Sequence, residues 1–157
     1  MKIMRAQFRA LWLALFAAVI LIALPARAQS AQEAQGCQNS TADQLGQDVA
    51  KKTRAFLAEL QADVAKGDKA TVASMISYPL LVIRNSGKTR VRTEAQFLSQ
   101  YDNIFDAHVR RAIANQSAKC LFGNYQGTMI GDGEVWYREQ DNGPMKIITV
   151  NTSTGKQ

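Results

Sequence analysis

The spacing of apolar residues predicts a long helix at the start of the folded region. Apolar side chains recur there at intervals of four and seven residues, at Leu45, Val49, Phe56, Leu60 and Val64. Thr41 and Gln44 form a capping box before this stripe, and Gly67 stands where a left-handed helix cap is expected after it. The pattern therefore predicts a helix of about 24 residues with one apolar face.

Two more helices are predicted further along the chain. Asp68 is placed to cap a short helix, which the Tyr78-Pro79 pair ends because proline restricts the backbone of the residue before it. Thr93 and Gln96 form a second capping box, and apolar residues keep a helical spacing after it. We therefore expect a second long helix over residues 94–115.

Shorter apolar or alternating runs predict strands that are separated by turns. A continuous apolar run begins at Pro79, turns at Asn85-Ser86-Gly87 and returns as an alternating segment, which is typical of a hairpin. The last part of the chain predicts a meander, with Asp-Gly and Asn-Gly pairs that are strong hairpin signals. Residues 118–126 fit either a strand or a loop. The predicted strands are residues 79–83, 89–92, 121–122, 126–130, 134–138 and 145–150.

This order of elements predicts an α+β domain, in which two long helices and one short helix pack on a bent antiparallel sheet. Residues 63–68, which end in a Gly-Asp pair, resemble the end of the first helix in the nuclear-transport-factor-2-like superfamily, which has the cystatin-like fold. Residues 101–105 resemble the third-helix region of small secreted members of that group. The resemblance covers roughly residues 41–151. It implies a concavity between helices and sheet but no reaction, because members include isomerases, dehydratases, ligand carriers and protein-binding modules.

The N-terminal segment, residues 1–28, has the features of a secretory signal peptide. A short basic region precedes an unbroken apolar run from Leu11 to Leu24, and Ala26-Arg27-Ala28 places small residues where a signal peptidase cuts. The alternative, a membrane anchor, needs a longer run, because a helix from Leu11 to Leu24 spans about 21 Å of a hydrocarbon core of about 30 Å. We therefore expect cleavage near Ala28 and a periplasmic chain. Its parts are a flexible lead-in at 29–40, a single domain at 41–151 and a tail at 152–157.

The net charge argues against a nucleic-acid partner. The chain carries 19 Lys and Arg against 13 Asp and Glu. Four of the basic side chains and none of the acidic ones lie in the signal-peptide segment, so the remainder holds 15 basic and 13 acidic side chains, a net charge of +2. No strong basic excess is left to neutralise phosphates. We expect no nucleic-acid partner, and no stable membrane span once the signal peptide is removed.

The two cysteines, Cys37 and Cys120, are expected to form a disulfide bond in an oxidising compartment. Free thiols are one alternative. A zinc site is another, but two cysteines and a single histidine fall short of the usual four ligands. No metal or other cofactor is predicted, since the sequence holds no P-loop, no dinucleotide-binding glycine motif and no HExxH or CxxC motif.

Candidates for acid-base catalysis lie on the second predicted long helix. Asp102, His108 and Tyr101 are of the types that transfer protons in enzymes, and in enzymatic members of the resembled superfamily Tyr, Asp or His lines the cavity. Asp102, Asp106 and Arg110 follow one another at intervals of four, which an ion-paired helix face explains without chemistry. His108 lies near the edge of the apolar stripe, a position typical of a structural histidine.

Candidates for binding a ligand or partner lie on the predicted strands. Trp136 and Tyr137 are adjacent, so they point to opposite faces of the sheet and one of them is expected to be partly exposed. With Tyr125 they form a candidate aromatic contact surface, because Trp and Tyr are enriched at interfaces. Arg84 and Arg90 add a basic edge, which either binds an anion or protects an edge strand from pairing. Ordinary packing in the sheet is the alternative for each aromatic side chain.

Together these patterns favour a secreted, non-catalytic binding protein whose partner is a protein or a small apolar ligand. Two alternatives stay open. One is a small lyase or isomerase acting in a cone-shaped pocket, and the other is an inhibitor or immunity-like protein that blocks an envelope enzyme with its exposed hairpin. An enclosed pocket with converging titratable groups would favour the enzyme, whereas a filled core with an exposed apolar patch would favour the binding protein.

Overall fold

The computed structural model describes residues 45–141 and 143–153, which form five helices and a six-stranded mixed sheet. All of them belong to one compact unit, Cys37–Gln157. The helices are α1 Gln47–Lys66, α2 Lys69–Ser74, α3 Glu94–Ser99, α4 Tyr101–Ile104 and α5 Ala107–Asn115. The strands are β1 Ile76–Arg84, β2 Gly87–Val91, β3 Phe122–Asn124, β4 Gly127–Ile130, β5 Val135–Glu139 and β6 Met145–Asn151.

Local signals correctly predicted the junction between α1 and α2. Gly67 adopts the left-handed conformation with φ 72°, and the amides of Gly67 and Asp68 donate to carbonyls in the last turn of α1. The Asp68 side chain then accepts from the Thr71 amide at 3.0 Å and caps α2. The predicted capping box of Thr41 and Gln44 lies outside the described residues.

The second helix is shorter and the following strand longer than the sequence predicted. Helix α2 ends at Ser74, and β1 begins at Ile76 instead of Pro79. Ile76 lies opposite Ile147 of β6, and the Ile147 amide donates to the Met75 carbonyl at 2.9 Å. Pairing with β6, the last strand in the sequence, therefore extends β1 toward its N-terminus. The added residues are ones for which the local sequence predicted the last turn of a helix.

The long helix predicted for residues 94–115 is wrong, because the structure divides this segment into α3, α4 and α5. Thr93 caps α3 as expected. The decisive break is at Asp106, which has an extended backbone and whose side chain accepts from the amides of His108 and Val109, each at 2.9 Å. An Asp side chain that satisfies two free amides stabilises a new helix start and competes with continuing the old helix.

The sheet has the strand order β2-β1-β6-β5-β4-β3. All neighbouring strands are antiparallel except β1 and β6, which pair in parallel, so the expectation of a purely antiparallel sheet is wrong. The last strand, β6, lies between β1 and β5. Thr152 continues this attachment just after β6, since its amide donates to the Ile83 carbonyl at 2.9 Å.

One hydrophobic core joins the five helices to one face of the sheet. Phe97 lies at its centre and makes edge-to-face contacts with Tyr101 and Phe105. Tyr137 stacks on Phe56 of α1 with ring centroids 4.7 Å apart. These side chains are buried, so packed rings fill the part of the interior around Phe97 and next to Phe56 of α1. No helix among the described residues is long and apolar enough to cross a membrane.

Candidate functional site

The face of the sheet away from the helices carries a continuous row of side chains across all six strands. Residues directly opposite one another on neighbouring strands share a face. On β5 the two neighbours of Trp136 in sequence, Val135 and Tyr137, are buried in the core, so Trp136 belongs to the outer face. Following the pairing outward from Trp136 in both directions gives the row Arg90, Leu81, Thr149, Trp136, Met129 and Phe122.

A groove of about 600 Å³ lies over part of this row, at Arg90, Thr149 and Trp136. Half-buried side chains on β1, β5 and β6 form its floor, namely Ser77, Trp136, Ile148 and Thr149. More exposed side chains form its rim, namely Pro79, Arg90, Tyr125, Gln126 and Arg138. The groove therefore combines an aromatic ring and hydroxyl groups on the floor with two guanidinium groups on the rim. We name it the sheet groove.

Trp136 has close contacts with β3 and with the β4–β5 turn. Phe122 of β3 packs edge-on against the indole, with ring centroids 6.5 Å apart and an interplanar angle of 86°. The indole Nε1 also lies close to Gly133, where a Cβ atom would be 3.5 Å away. The ring is therefore a fixed apolar platform in the groove floor.

Tyr125 is the most exposed large apolar side chain of the described residues, at 88%. It lies in the turn between β3 and β4, where the Asn124 side chain accepts from the Gln126 amide at 2.8 Å. This turn, and not the core, determines the position of Tyr125 at the rim. An exposed tyrosine beside a half-buried tryptophan is a combination typical of contact surfaces.

The sheet groove brings together three of the binding candidates predicted from sequence, Trp136, Tyr125 and Arg90. The two others do not join it. Tyr137 is fully buried, and its hydroxyl donates to the Thr53 carbonyl at 3.1 Å, so the prediction that it helps to form a contact surface is wrong. Arg84 lies at the end of the β1–β2 hairpin and donates to the Thr89 hydroxyl at 2.9 Å.

Arg138 is a groove residue that sequence reasoning missed. It lies two positions after Trp136 on β5, so the alternation of a strand places both side chains on the same face. This alternation is visible in the sequence and could have indicated that Arg138 lies on the same face as Trp136. Within the described residues neither Arg90 nor Arg138 makes an ion pair.

The acid-base candidates Tyr101, Asp102 and His108 do not line the groove, and the structure places them in three different settings. The Asp102 carboxylate is exposed and binds Lys69 at 2.7 Å and Arg110 at 3.3 Å. The hydrogen bond from Lys69 is the main cause that lowers the pKa of Asp102. Asp106 does not share this surface position as a second carboxylate, because its side chain caps α5.

Tyr101 is buried in the aromatic part of the core. Its ring stacks on Phe105 with centroids 5.3 Å apart, and Lys69 Nζ lies 5.0 Å from the ring centroid. Burial raises the pKa of its hydroxyl, which has no hydrogen-bond partner in the described part of the chain. A phenol in this setting keeps its proton at neutral pH.

His108 is half-buried, as its position at the edge of the apolar stripe suggested. Its Nε2 lies 2.9 Å from Oε1 of Glu134, a carboxylate that is only 2% exposed. The other oxygen of Glu134 accepts from the Asp132 amide at 2.6 Å. This pair joins α5 to the β4–β5 turn. Sequence reasoning missed Glu134, since nothing in the turn sequence indicates a buried carboxylate.

Metal and cysteine positions add no further site. Across residues 45–141 and 143–153, no group of three His, Cys, Asp or Glu side chains is placed to hold a metal ion. Cys120 lies in the loop before β3 and is not a free cysteine. Cys37 lies outside the described residues, so the pairing of the two stays a prediction.

Comparison with known proteins finds no matching family model, no matching curated protein and no matching solved structure. The groove and its surroundings therefore have to be interpreted from their own geometry.

Proposed function

We propose that this chain is a secreted, periplasmic, non-catalytic binding protein and that the sheet groove is its binding site. The observation that carries the proposal is the meeting of Trp136, Tyr125 and Arg90 around one groove of about 600 Å³. This volume is within the range of about 300–1,000 Å³ that is usual for ligand sites. Trp, Tyr and Arg are also the residues most enriched at binding hot spots.

The packing of the core supports binding over catalysis. Phe97, Tyr101 and Phe105 fill the space under α3 to α5, and Tyr137 stacks on Phe56 under α1. A cone-shaped substrate pocket between the helices and the sheet would need that space. Asp102 and His108 are also bound to other side chains, and the ring of Tyr101 is packed in the core, so the lyase or isomerase hypothesis is the less favoured of the two. The inhibitor hypothesis uses the same outer face and differs only in the partner.

The assignment to the cystatin-like fold is part of the same proposal. Its support is one long helix packed on a six-stranded mixed sheet of order β2-β1-β6-β5-β4-β3, together with the sequence resemblance described above. The secretory pathway is proposed from residues 1–28, which lie outside the described residues. N-terminal sequencing of the protein purified from a periplasmic fraction tests it, and a first residue other than one close to Gln29 would contradict it.

Groove-dependent capture tests the function. The predicted mature chain, residues 29–157, keeps every core side chain and serves as bait in a periplasmic extract. Mass spectrometry then compares it with the double variant Tyr125→Ala/Arg90→Ala and with the matched control Leu98→Ala/Arg111→Ala, which alters exposed side chains on α3 and α5. We expect a bound species that the control retains and the groove variant loses.

Two outcomes would contradict the proposal. One is capture that is equal for the groove variant and the control, because the bound species would then use another surface. The other is capture that is lost in Asp102→Ala and His108→Ala variants whose circular dichroism is unchanged, because a groove binder does not need those side chains.

A further inference from the structure

The six strands have a stronger basic bias than residues 29–157 as a whole, which hold 15 basic and 13 acidic side chains. They hold five basic side chains and one acidic side chain, Glu139, which pairs with Lys52 of α1. The five helices are mixed in charge. The basic side chains of the strands are Arg84, Lys88, Arg90, Arg138 and Lys146. The net charge of only +2 over residues 29–157 therefore does not show that the strands are basic.

Two of these basic side chains are available at the groove. Arg84 and Lys146 already donate to protein oxygens, those of Thr89 and Ser74. Arg90 and Arg138 line the groove and make no ion pair with any described residue. A ligand with negative groups would give both guanidinium groups the partners that the chain itself does not supply.

The strand order sets the distance between the two ends of the groove. Arg90 lies on β2, and Trp136 and Arg138 lie on β5, with β1 and β6 between them. Three strand spacings of about 4.8 Å place the two ends about 14 Å apart. In an extended peptide, residues four positions apart are about 13 Å apart and point to the same side. One extended segment can therefore reach Arg90 and Trp136 together.

The open shape and the composition of the groove favour a peptide segment over a small molecule. Its rim side chains are exposed, whereas small-molecule sites usually enclose most of the ligand surface. Trp, Tyr and Arg are the usual anchors of protein interfaces. We propose, building on the binding function above, that the sheet groove binds an extended acidic segment of a partner protein. One carboxylate binds Arg90, an apolar side chain lies against Trp136, and a second carboxylate binds Arg138.

Trp136 reports binding directly, because it is the only tryptophan in residues 29–157. The probe is acetyl-Asp-Ser-Ser-Ser-Phe-Ser-Asp-amide. It sets the first carboxylate and the aromatic ring four positions apart and the second carboxylate two positions after the ring, so that all three side chains point to the same side of an extended segment. The neutral control is acetyl-Asn-Ser-Ser-Ser-Phe-Ser-Asn-amide. The spacing control is acetyl-Asp-Phe-Asp-Ser-Ser-Ser-Ser-amide, with the same charge. N-acetylphenylalanine tests whether a small anion suffices. Each is titrated at low and high salt while the emission of Trp136 is recorded.

We expect saturable binding of the probe, at least tenfold weaker binding of the neutral control and at least fivefold weaker binding of the spacing control. Arg90→Ala and Arg138→Ala should each weaken binding of the probe about fivefold or more, and Arg111→Ala should leave it unchanged. High salt should weaken it, since exposed charges are screened. Both groove arginines are exposed, so these variants are expected to fold, and circular dichroism checks this.

The failures are distinguishable. If the neutral control binds within twofold of the probe, or if neither arginine matters, the acidic partner is refuted while the groove stays a binding site. If N-acetylphenylalanine binds as tightly as the probe, the extended segment is refuted in favour of a small anion. If no probe changes the emission at millimolar concentration while groove-dependent capture succeeds, the partner has another chemistry.

Discussion

Replacing Glu134 by alanine tests how much one buried carboxylate contributes to this fold. Glu134 Oε1 lies 2.9 Å from His108 Nε2, and Oε2 accepts from the Asp132 amide at 2.6 Å. Truncation leaves both groups without this acceptor. Leaving a buried polar group without its hydrogen-bond partner costs about 1–3 kcal/mol for each group. The His108 side chain is 28% exposed, so water replaces part of its bonding and the expected loss is about 3 kcal/mol.

Urea unfolding followed by Trp136 fluorescence measures this loss in the chain of residues 29–157. The same change should lower the melting temperature by about 12 °C, at about 4 °C per kcal/mol for a domain of this size. A His108→Ala variant and the double variant Glu134→Ala/His108→Ala complete a double-mutant cycle. The expected coupling energy between the two residues is about 1–2 kcal/mol. Glu59→Ala, an exposed glutamate on α1, is the matched control and should change stability by less than about 0.5 kcal/mol.

A Glu134→Ala variant within about 0.5 kcal/mol of the wild type would refute the reasoning, because the cost of burying the carboxylate would then cancel its bonds. If the effects of Glu134→Ala and His108→Ala on the free energy of unfolding are additive, the proposed interaction between the two side chains is refuted. Such additivity would show that His108 and Glu134 stabilise the fold independently, and that α5 is joined to the β4–β5 turn by other contacts.

Three further predictions concern the backbone and the pH dependence of stability. Gly127→Ala should destabilise by about 3 kcal/mol or more in urea, since φ is 140° and the new Cβ would lie 2.6 Å from the Tyr137 carbonyl oxygen. Hydrogen bonds from Thr71 and Lys69 lower the pKa of Asp68 and Asp102, respectively. The two ionised carboxylates therefore stabilise the fold, and this contribution is lost as the pH falls through their pKa values in the folded state. The urea midpoint of the double variant Asp68→Asn/Asp102→Asn should therefore fall less between pH 5 and about pH 2 than the midpoint of the wild type. Burial raises the pKa of Tyr78 from 10.0 to about 12, so the free energy of unfolding should decrease as the pH rises between these values. The decrease should be smaller in a Tyr78→Phe variant than in the wild type.

Several element ends could be predicted because they depend on neighbours in sequence. Gly67 adopts the left-handed cap, Asp68 caps α2 and Thr93 caps α3, each through bonds to residues within four positions. The hairpin turns also appear where the Asn-Gly and Asp-Gly signals predicted them. Short-range steric and hydrogen-bonding effects decide such features, and they are visible in the sequence.

The division of the 94–115 segment shows the limit of periodicity. Phe97, Tyr101, Phe105 and Val109 keep a spacing of four and are all buried, although the helix is broken between them. The pattern reports which face meets the core, and it does not report whether the backbone hydrogen bonds continue. Asp106 was the local signal, since Asp favours helix starts over helix interiors.

The candidate site could be predicted in part. Alternation along β5 required Trp136 and Tyr137 to face opposite sides, but only the packed fold decides which faces the core. Tyr137 does so, because its ring stacks on Phe56 and its hydroxyl reaches the Thr53 carbonyl of α1. Trp136 is left on the outer face.

The sequence by itself determined the α+β class, the approximate positions of most strands, the caps at Gly67, Asp68 and Thr93 and the residue types available for binding. All of these follow from interactions over a few residues or from one repeating period. Only the tertiary structure decided the parallel pairing of β1 with β6, the burial of Glu134 against His108, and the meeting of Arg90 with Trp136 and Arg138. These depend on contacts between residues that are distant in sequence, whose partners are selected by the whole packed core.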